Sequence, residues 1–131
     1  LLPATARLTH RDDFTASVRR GRRIGRKLVV MHVLLADAVA VVDPGAAPSG
    51  PRVGFVVSKA VGGSVVRHRV ARRLRHLMHA RMSRLPAGSR VVVRALPAAA
   101  FADSAALGRD LDRALRVVGS GTEASASAGR P

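Results

Sequence analysis

The sequence predicts an α+β fold, a two-layer αβββαβα sandwich, and three observations carry that prediction. Two stretches with helical apolar spacing, 64–83 and 103–118, are interleaved with short runs rich in valine and isoleucine around "RRIG", "LVVMHVLL", "RVGFVVS" and "RVVVRAL". The chain has 131 residues, 47% of them apolar, which supports one domain with a real core. No segment repeats, so the elements must pack as layers around that core.

The first helix is predicted from "THRDDFTASVRRG" over about His10 to Arg20. Thr9 caps it, Asp12 sits near the positive end of the helix dipole, and Gly21 follows the arginines of the last turn. A short strand near Ile24 and a longer one from Leu28 to Leu35 come next, followed by a turn-rich hairpin loop over 36–51. Alternation in "RVGFVVS" directs Val53, Phe55 and Val57 to the core, and Gly54, Val56 and Ser58 to a flatter opposite surface. Gly62 and Gly63 lead into a helix from Ser64 to Ser83, closed by "LPAGS". "RVVVRAL" is the fourth strand, and the last helix carries Leu107, Leu111, Leu115 and Val118 on one stripe. From Gly119 the chain is mostly glycine, serine and alanine and reads as a disordered tail. The organisation is therefore an N-terminal arm over 1–8, a domain over 9–118 and a tail over 119–131.

Charge narrows the function. Lysine and arginine number 23 against 8 acids, for a net charge of +15, and 21 of the 23 are arginine. Self-repulsion on that scale points to a polyanionic partner, and arginine's planar fork of donors suits phosphates and bases. The absence of cysteine removes disulfides and thiolate metal sites and fits a reducing compartment. The longest apolar run is interrupted by His32 and Asp37 and is too short to span a membrane, and no secretory signal is visible. The expectation is a cytoplasmic protein with neither a membrane nor a small molecule as partner.

The densest charge lies in "VVRHRVARRLRHLMH", which has no carboxylate. On a helical wheel Val66, Val70, Leu74, Leu77 and Met78 form a core stripe, and His68, Arg69, Arg72, Arg75, His76 and His79 form a basic ridge opposite it. Arg67 and Arg73 fall on or beside the apolar stripe, so Arg73 is expected to snorkel and Arg67 to reach over the sheet edge. A merely solvated helix face mixes signs to gain i,i+4 pairs, whereas this one has no acid. Nucleic-acid contact is the stronger reading.

"RVGFVVSKAVGGSVVRHRVARRLRH" resembles the signature region of the protein subunit of bacterial ribonuclease P, in which a strand ending in Ser-Lys leads through a glycine-containing turn into an arginine-rich helix. The likeness extends to "RLTHRDDF" and "GRRI" and covers roughly residues 7–118. It implies a sandwich similar to a ribosomal protein domain, with a βαβ crossover carrying the basic helix. It also implies two partners, the ribonuclease P RNA, which carries the chemistry, and precursor tRNA, whose 5′ leader is removed.

By position, the resemblance gives contact with the catalytic RNA to Arg67, His68, Arg69, Arg72, Arg73, Arg75 and His76. It gives the leader to Phe14, Val18, His32, Gly54, Val56, Ser58, Lys59, Arg67 and His68. His68 replaces the usual asparagine, Ala71 the usual lysine, Val18 a second stacking aromatic and His32 a frequent tyrosine. Phe14 and His32 have equally good readings as a core ring and a half-buried strand residue.

No catalytic or metal site is expected on the chain. Metal-dependent hydrolysis needs converging carboxylates, and the acids here are scattered. His76 and His79, at i,i+3 among arginines, suit phosphate contact better than proton transfer. No cofactor is expected on the protein, and Mg²⁺ would serve the RNA-catalysed reaction. Two other classes fit less well: a basic ribosomal protein binding rRNA, and a helix-turn-helix DNA binder, which would need a helix where "RVGFVVS" stands.

Overall fold

The computed structural model describes residues 18–35 and 50–126, with side chains through 119. Most of the predicted first helix, including Phe14, and nearly all of the 36–51 loop lie outside the described residues. Val18 to Arg20 are helical, as expected for that helix's last turn.

The strands are β1 (Arg22–Gly25), β2 (Val29–Leu34), β3 (Arg52–Val56) and β4 (Arg90–Ala95), in the sheet order β1-β2-β4-β3. β2 is antiparallel to both β1 and β4, and β3 runs parallel to β4 with Val53 opposite Val91 and Phe55 opposite Val93. The helices are α1 (Ser64–His79), which joins β3 to β4, and α2 (Ser104–Ala126). Asp103 caps α2 by accepting the Ala106 N–H at 2.8 Å.

Strand alternation sorts the sheet into two faces. Ile24, Val29, Met31, Val33, Val53, Val91, Val93 and Ala95 meet Val70, Leu74 and Met78 of α1 and Leu107, Leu111, Ala114, Leu115 and Val118 of α2 in one aliphatic core. Both predicted helix stripes are therefore inward. Val30, His32, Leu34 and Val92 are also buried but belong to the opposite face, outside that core.

Two boundaries differ from the sequence reading. α1 ends at His79 and not Ser83, because the chain tightens into a short 3₁₀ turn over Met82–Arg84 and drops Leu85 into the core. Arg81 stabilises this exit by bonding the Leu77 carbonyl and the Asp112 carboxylate. α2 continues through Gly119, the predicted start of the tail, to Ala126, because helical backbone bonding needs no apolar stripe to persist.

Two carboxylates of α2 join distant segments. Asp110 accepts the Leu28 N–H at 2.7 Å and lies 3.7 Å from Arg26, which fixes the β1–β2 turn to α2. Asp112 bridges Arg81 at 2.7 Å and Arg84 at 2.6 Å, which fixes the end of α1 to α2. Hydrogen bonding from Arg81, followed by smaller contributions from Arg84, outweighs burial and holds the Asp112 carboxyl below its ordinary pKa.

The turn into α1 is tight. Gly62 has a φ of 157°, and a Cβ there would lie 2.9 Å from the Val66 Cγ1. Gly62→Ala is therefore expected to destabilise the fold by about 1–3 kcal/mol through overpacking. In a Val66→Ala background the same change should cost less, and urea denaturation of the four proteins measures the coupling. An equal loss in both backgrounds would place the strain elsewhere.

Candidate nucleic-acid interface

The basic helix is positioned from below. With Val70, Leu74 and Met78 sunk into the core, the remaining positions of α1 divide into an outer surface and two flanks. Its N-terminus has Gly63 as cap residue, with no side-chain cap and no acid in the first turn, so the positive end of the helix dipole is uncompensated.

One flank faces the sheet edge, where Arg67, His68, Ala71 and Arg75 of α1 face Phe55 and Val57 to form an open cleft of about 310 Å³. Arg67, Ala71 and Arg75 follow at four-residue intervals and so lie along one ridge of the helix. Arg67 reaches the sheet edge as the sequence suggests. Phe55 and Val57 do more than expected, since they pack partly on the core and also form the cleft wall. Ser58 and Lys59 are exposed on the turn that joins the two sides, a turn closed by Val61 N–H to Ser58 O and Gly62 N–H to Lys59 O.

The other flank meets the 3₁₀ turn Pro97–Phe101. Arg69 Nη2 donates to the Ala100 carbonyl at 2.8 Å, and Arg73 Nη1 donates to the Ala102 carbonyl at 2.9 Å. Arg73, expected to snorkel from beside the stripe, is half-buried and ends on the Ala102 carbonyl. Arg69 departs from its expected place on an open ridge, being half-buried and tied to backbone. Arg72, His76 and His79 are exposed on the outer surface, with His68 exposed at the cleft.

The carboxylates explain which cations stay unneutralised. Those described are Asp103, Asp110 and Asp112, and each is engaged elsewhere, as a helix cap or with Arg26, Arg81 and Arg84. Among the described residues Arg67, Arg72 and Arg75 have no ion-pair partner. No cluster of three or more metal-ligating side chains occurs among the described residues.

The remaining predicted positions gather on the far face of the sheet. Register places Arg23, His32, Val92 and Gly54 in one row, with Arg94 and Val56 in the adjoining row. His32, Gly54 and Val56 therefore share a surface on the side away from α1, while Val18 is 45% exposed in the helical turn before β1. Arg23 and Arg94, which the sequence reading did not select, belong with His32. The signal was present in "RVVVRAL", where Val92 and Arg94 share a parity.

His32 is only 5% exposed, and its Nδ1 has no hydrogen-bond partner among the described residues. Burial first, and then the positive charges of Arg23 and Arg94, lower its pKa from the ordinary value. The imidazole is accordingly neutral at pH 7, a flat uncharged group between two cations.

Comparison with known proteins agrees with this architecture. The family model for ribonuclease P matches residues 2–119. The chain is 58% identical over 123 residues to the ribonuclease P protein component of Streptomyces bikiniensis, covering 93% of this chain and 99% of that one. It is 50% identical over 131 residues to the corresponding component of Nocardia farcinica, covering 91% and 84%. Among solved structures, the RNase P protein of Staphylococcus aureus superposes with a TM-score of 0.71 at 18% identity, covering 86% of this chain and 94% of that one. That of Thermotoga maritima gives 0.67 at 20% identity, covering 83% and 94%. Both have the same mixed α+β fold.

The lowered pKa of His32 has a consequence for stability. The unfolded chain binds the imidazole proton more readily than the folded one, so stability rises with pH through this interval. Stability is expected to fall as the pH drops below the unfolded value of about 6.5. Thermal melts from pH 8 to pH 5 should show that decline, and His32→Leu should flatten it. A variant that keeps the full decline would assign it to other groups.

Proposed function

The chain belongs to the ribonuclease P protein family and functions as the protein component of that ribonucleoprotein; on this premise we propose that α1 binds the catalytic RNA and that the β3 side of the domain holds the 5′ leader of precursor tRNA. The family places the rRNA-binding and DNA-binding alternatives aside, and a strand, β3, stands where a helix-turn-helix would need a helix.

The observation that carries this reading is the sorting of charge. Among the described residues Arg67, Arg72 and Arg75 have no carboxylate partner on a helix whose core stripe fixes their direction, and every described acid is engaged away from them. Arginines so placed neutralise a phosphate backbone and release its counterions. Arg69 and Arg73 contribute from fixed positions, and His68 and His76 from the exposed surface.

The leader reading rests on position. Ser58 and Lys59 border the edge cleft at its connecting turn, Arg67 and His68 line it, and His32, Gly54 and Val56 occupy the far face of the same sheet. Arg23 and Arg94, exposed on that face, offer charge to the leader's phosphates, and the nearly buried, neutral His32 lies between them as part of the sheet's floor. Val18, in the helical turn before β1, and Phe14, which lies outside the described residues, complete the reading. The similarity of the sandwich to a ribosomal protein domain and a cytoplasmic location belong to the same reading. No described helix is long and apolar enough to cross a membrane.

Catalysis rests with the RNA, and Mg²⁺ serves that reaction without a site or cofactor on the protein. The chain freed of RNA is expected to leave precursor tRNA uncut with or without Mg²⁺, and adding a bacterial ribonuclease P RNA should produce cleavage at the mature 5′ end. Cutting at that position by the protein alone would overturn the division of labour.

Replacing Arg67, Arg72 and Arg75 together with alanine should weaken binding to the catalytic RNA. The slope of log affinity against log salt should become shallower by about 0.7–0.9 for each phosphate no longer neutralised. The melting temperature should change little, since none of the three holds an ion pair with a described residue. An unaltered slope would mean that these arginines face only solvent.

A further inference from the structure

Phe101 is 93% exposed, although the described core is entirely aliphatic and has every reason to recruit a ring. The segment that presents it is well held. Ala99 and Ala100 are buried, Pro97 starts the 3₁₀ turn, and Leu96 N–H donates to Leu28 O at 2.8 Å. Ala99 N–H donates to Leu96 O at 2.9 Å, and Ala102 N–H to Ala99 O at 3.3 Å. The ring is thus outward on a fixed support.

The carbonyls immediately before and after Phe101 are the ones bonded by Arg69 and Arg73. Each guanidinium gives one N–H to that backbone and retains others for a second acceptor. An exposed aromatic face beside two fixed guanidinium groups matches the two halves of an unpaired nucleotide, the base for stacking and the phosphate for charge-assisted hydrogen bonds.

We propose that Phe101, with Arg69 and Arg73 anchored beside it, forms a stacking site for one unpaired nucleotide of the ribonuclease P RNA. This rests on the reading that α1 meets that RNA. The catalytic RNA is the source, and not the precursor leader, because Arg69 and Arg73 leave α1 on the flank opposite the Arg67, His68 and Arg75 cleft at the sheet edge. The site extends the interface beyond α1 to the segment that follows β4.

The test measures equilibrium binding of the full chain to a Streptomyces ribonuclease P RNA across a salt series. Phe101→Ala should weaken binding about five-fold to a hundred-fold, the loss of one stacked base. Its salt slope should match that of the unaltered chain, since no charge is removed, and its melting temperature should be unchanged. Phe101→Trp should retain affinity, and Phe101→Leu should behave as alanine because it keeps apolar area without an aromatic face. Full affinity in both the alanine and leucine variants overturns the proposal, as does full affinity in leucine alone. A defect confined to precursor tRNA binding by the assembled ribonucleoprotein also overturns it. If the Arg67, Arg72 and Arg75 triple variant weakens binding while Phe101→Ala does not, only the stacking site fails; if neither does, the α1 reading fails first.

Discussion

The parallel pairing of β3 with β4 is the constraint on which the rest of the domain depends. Two antiparallel strands can be joined by a tight turn, but parallel neighbours need a crossover, and here α1 supplies it. Once the helix is laid over the sheet, Val70, Leu74 and Met78 are committed to the core and the other side chains have their directions assigned. One flank must face the β3 edge, and the other must face the segment leaving β4. The cleft with Phe55 and Val57 and the bonds to Ala100 and Ala102 are the outcomes of that placement.

Charge is then divided by what each arginine finds within reach. Arg26, Arg81 and Arg84 find the carboxylates of α2 and join turn, helix end and helix together. Arg69 and Arg73 find carbonyls, which orient a guanidinium without reducing its charge. Arg67, Arg72 and Arg75 find no carboxylate among the described residues. The described acids in a chain of net charge +15 therefore act as structural joints, and the five arginines of α1 share their helix with no acid at all. A protein that had to be stable alone would gain by mixing signs on α1; a helix meeting polyphosphate gains by excluding acids.

The legible parts of the fold were those encoded locally. The 3.6-residue period of Val66, Val70, Leu74 and Met78 and the alternation of Val53 and Phe55 depend on nothing distant, so both elements were readable. Arg69 was not, because its acceptor is a backbone carbonyl 31 residues away and carbonyls leave no mark in a sequence. The same limit applies to Asp110, whose partners Leu28 and Arg26 come from the β1–β2 turn. The end of α1 was misread because "ARMS" can continue a helix, and only the burial of Leu85 and the bonds of Arg81 turn it into a 3₁₀ exit. His32 was readable as a strand residue, but its neutral state needed the register that brings Arg23 opposite it and Arg94 into the next row.

The use of aromatic side chains follows a different logic from that of the arginines. The sequence has three phenylalanines and neither tyrosine nor tryptophan, and the described core is built from valine, leucine, methionine, isoleucine and alanine. Phe55 is half-buried at the wall of the edge cleft, and Phe101 projects from the segment on the other flank of α1. Both described rings are thus kept at the borders of the basic helix, where charge alone cannot distinguish one stretch of phosphate from another. Arginines set affinity through the backbone they neutralise, which every RNA shares; flat side chains respond to whether a base is free to stack. On the proposed reading of α1, the exposed ring of Phe101 gives the interface a preference for unpaired nucleotides that its arginines cannot supply, while Phe55 shapes the cleft wall on the other border.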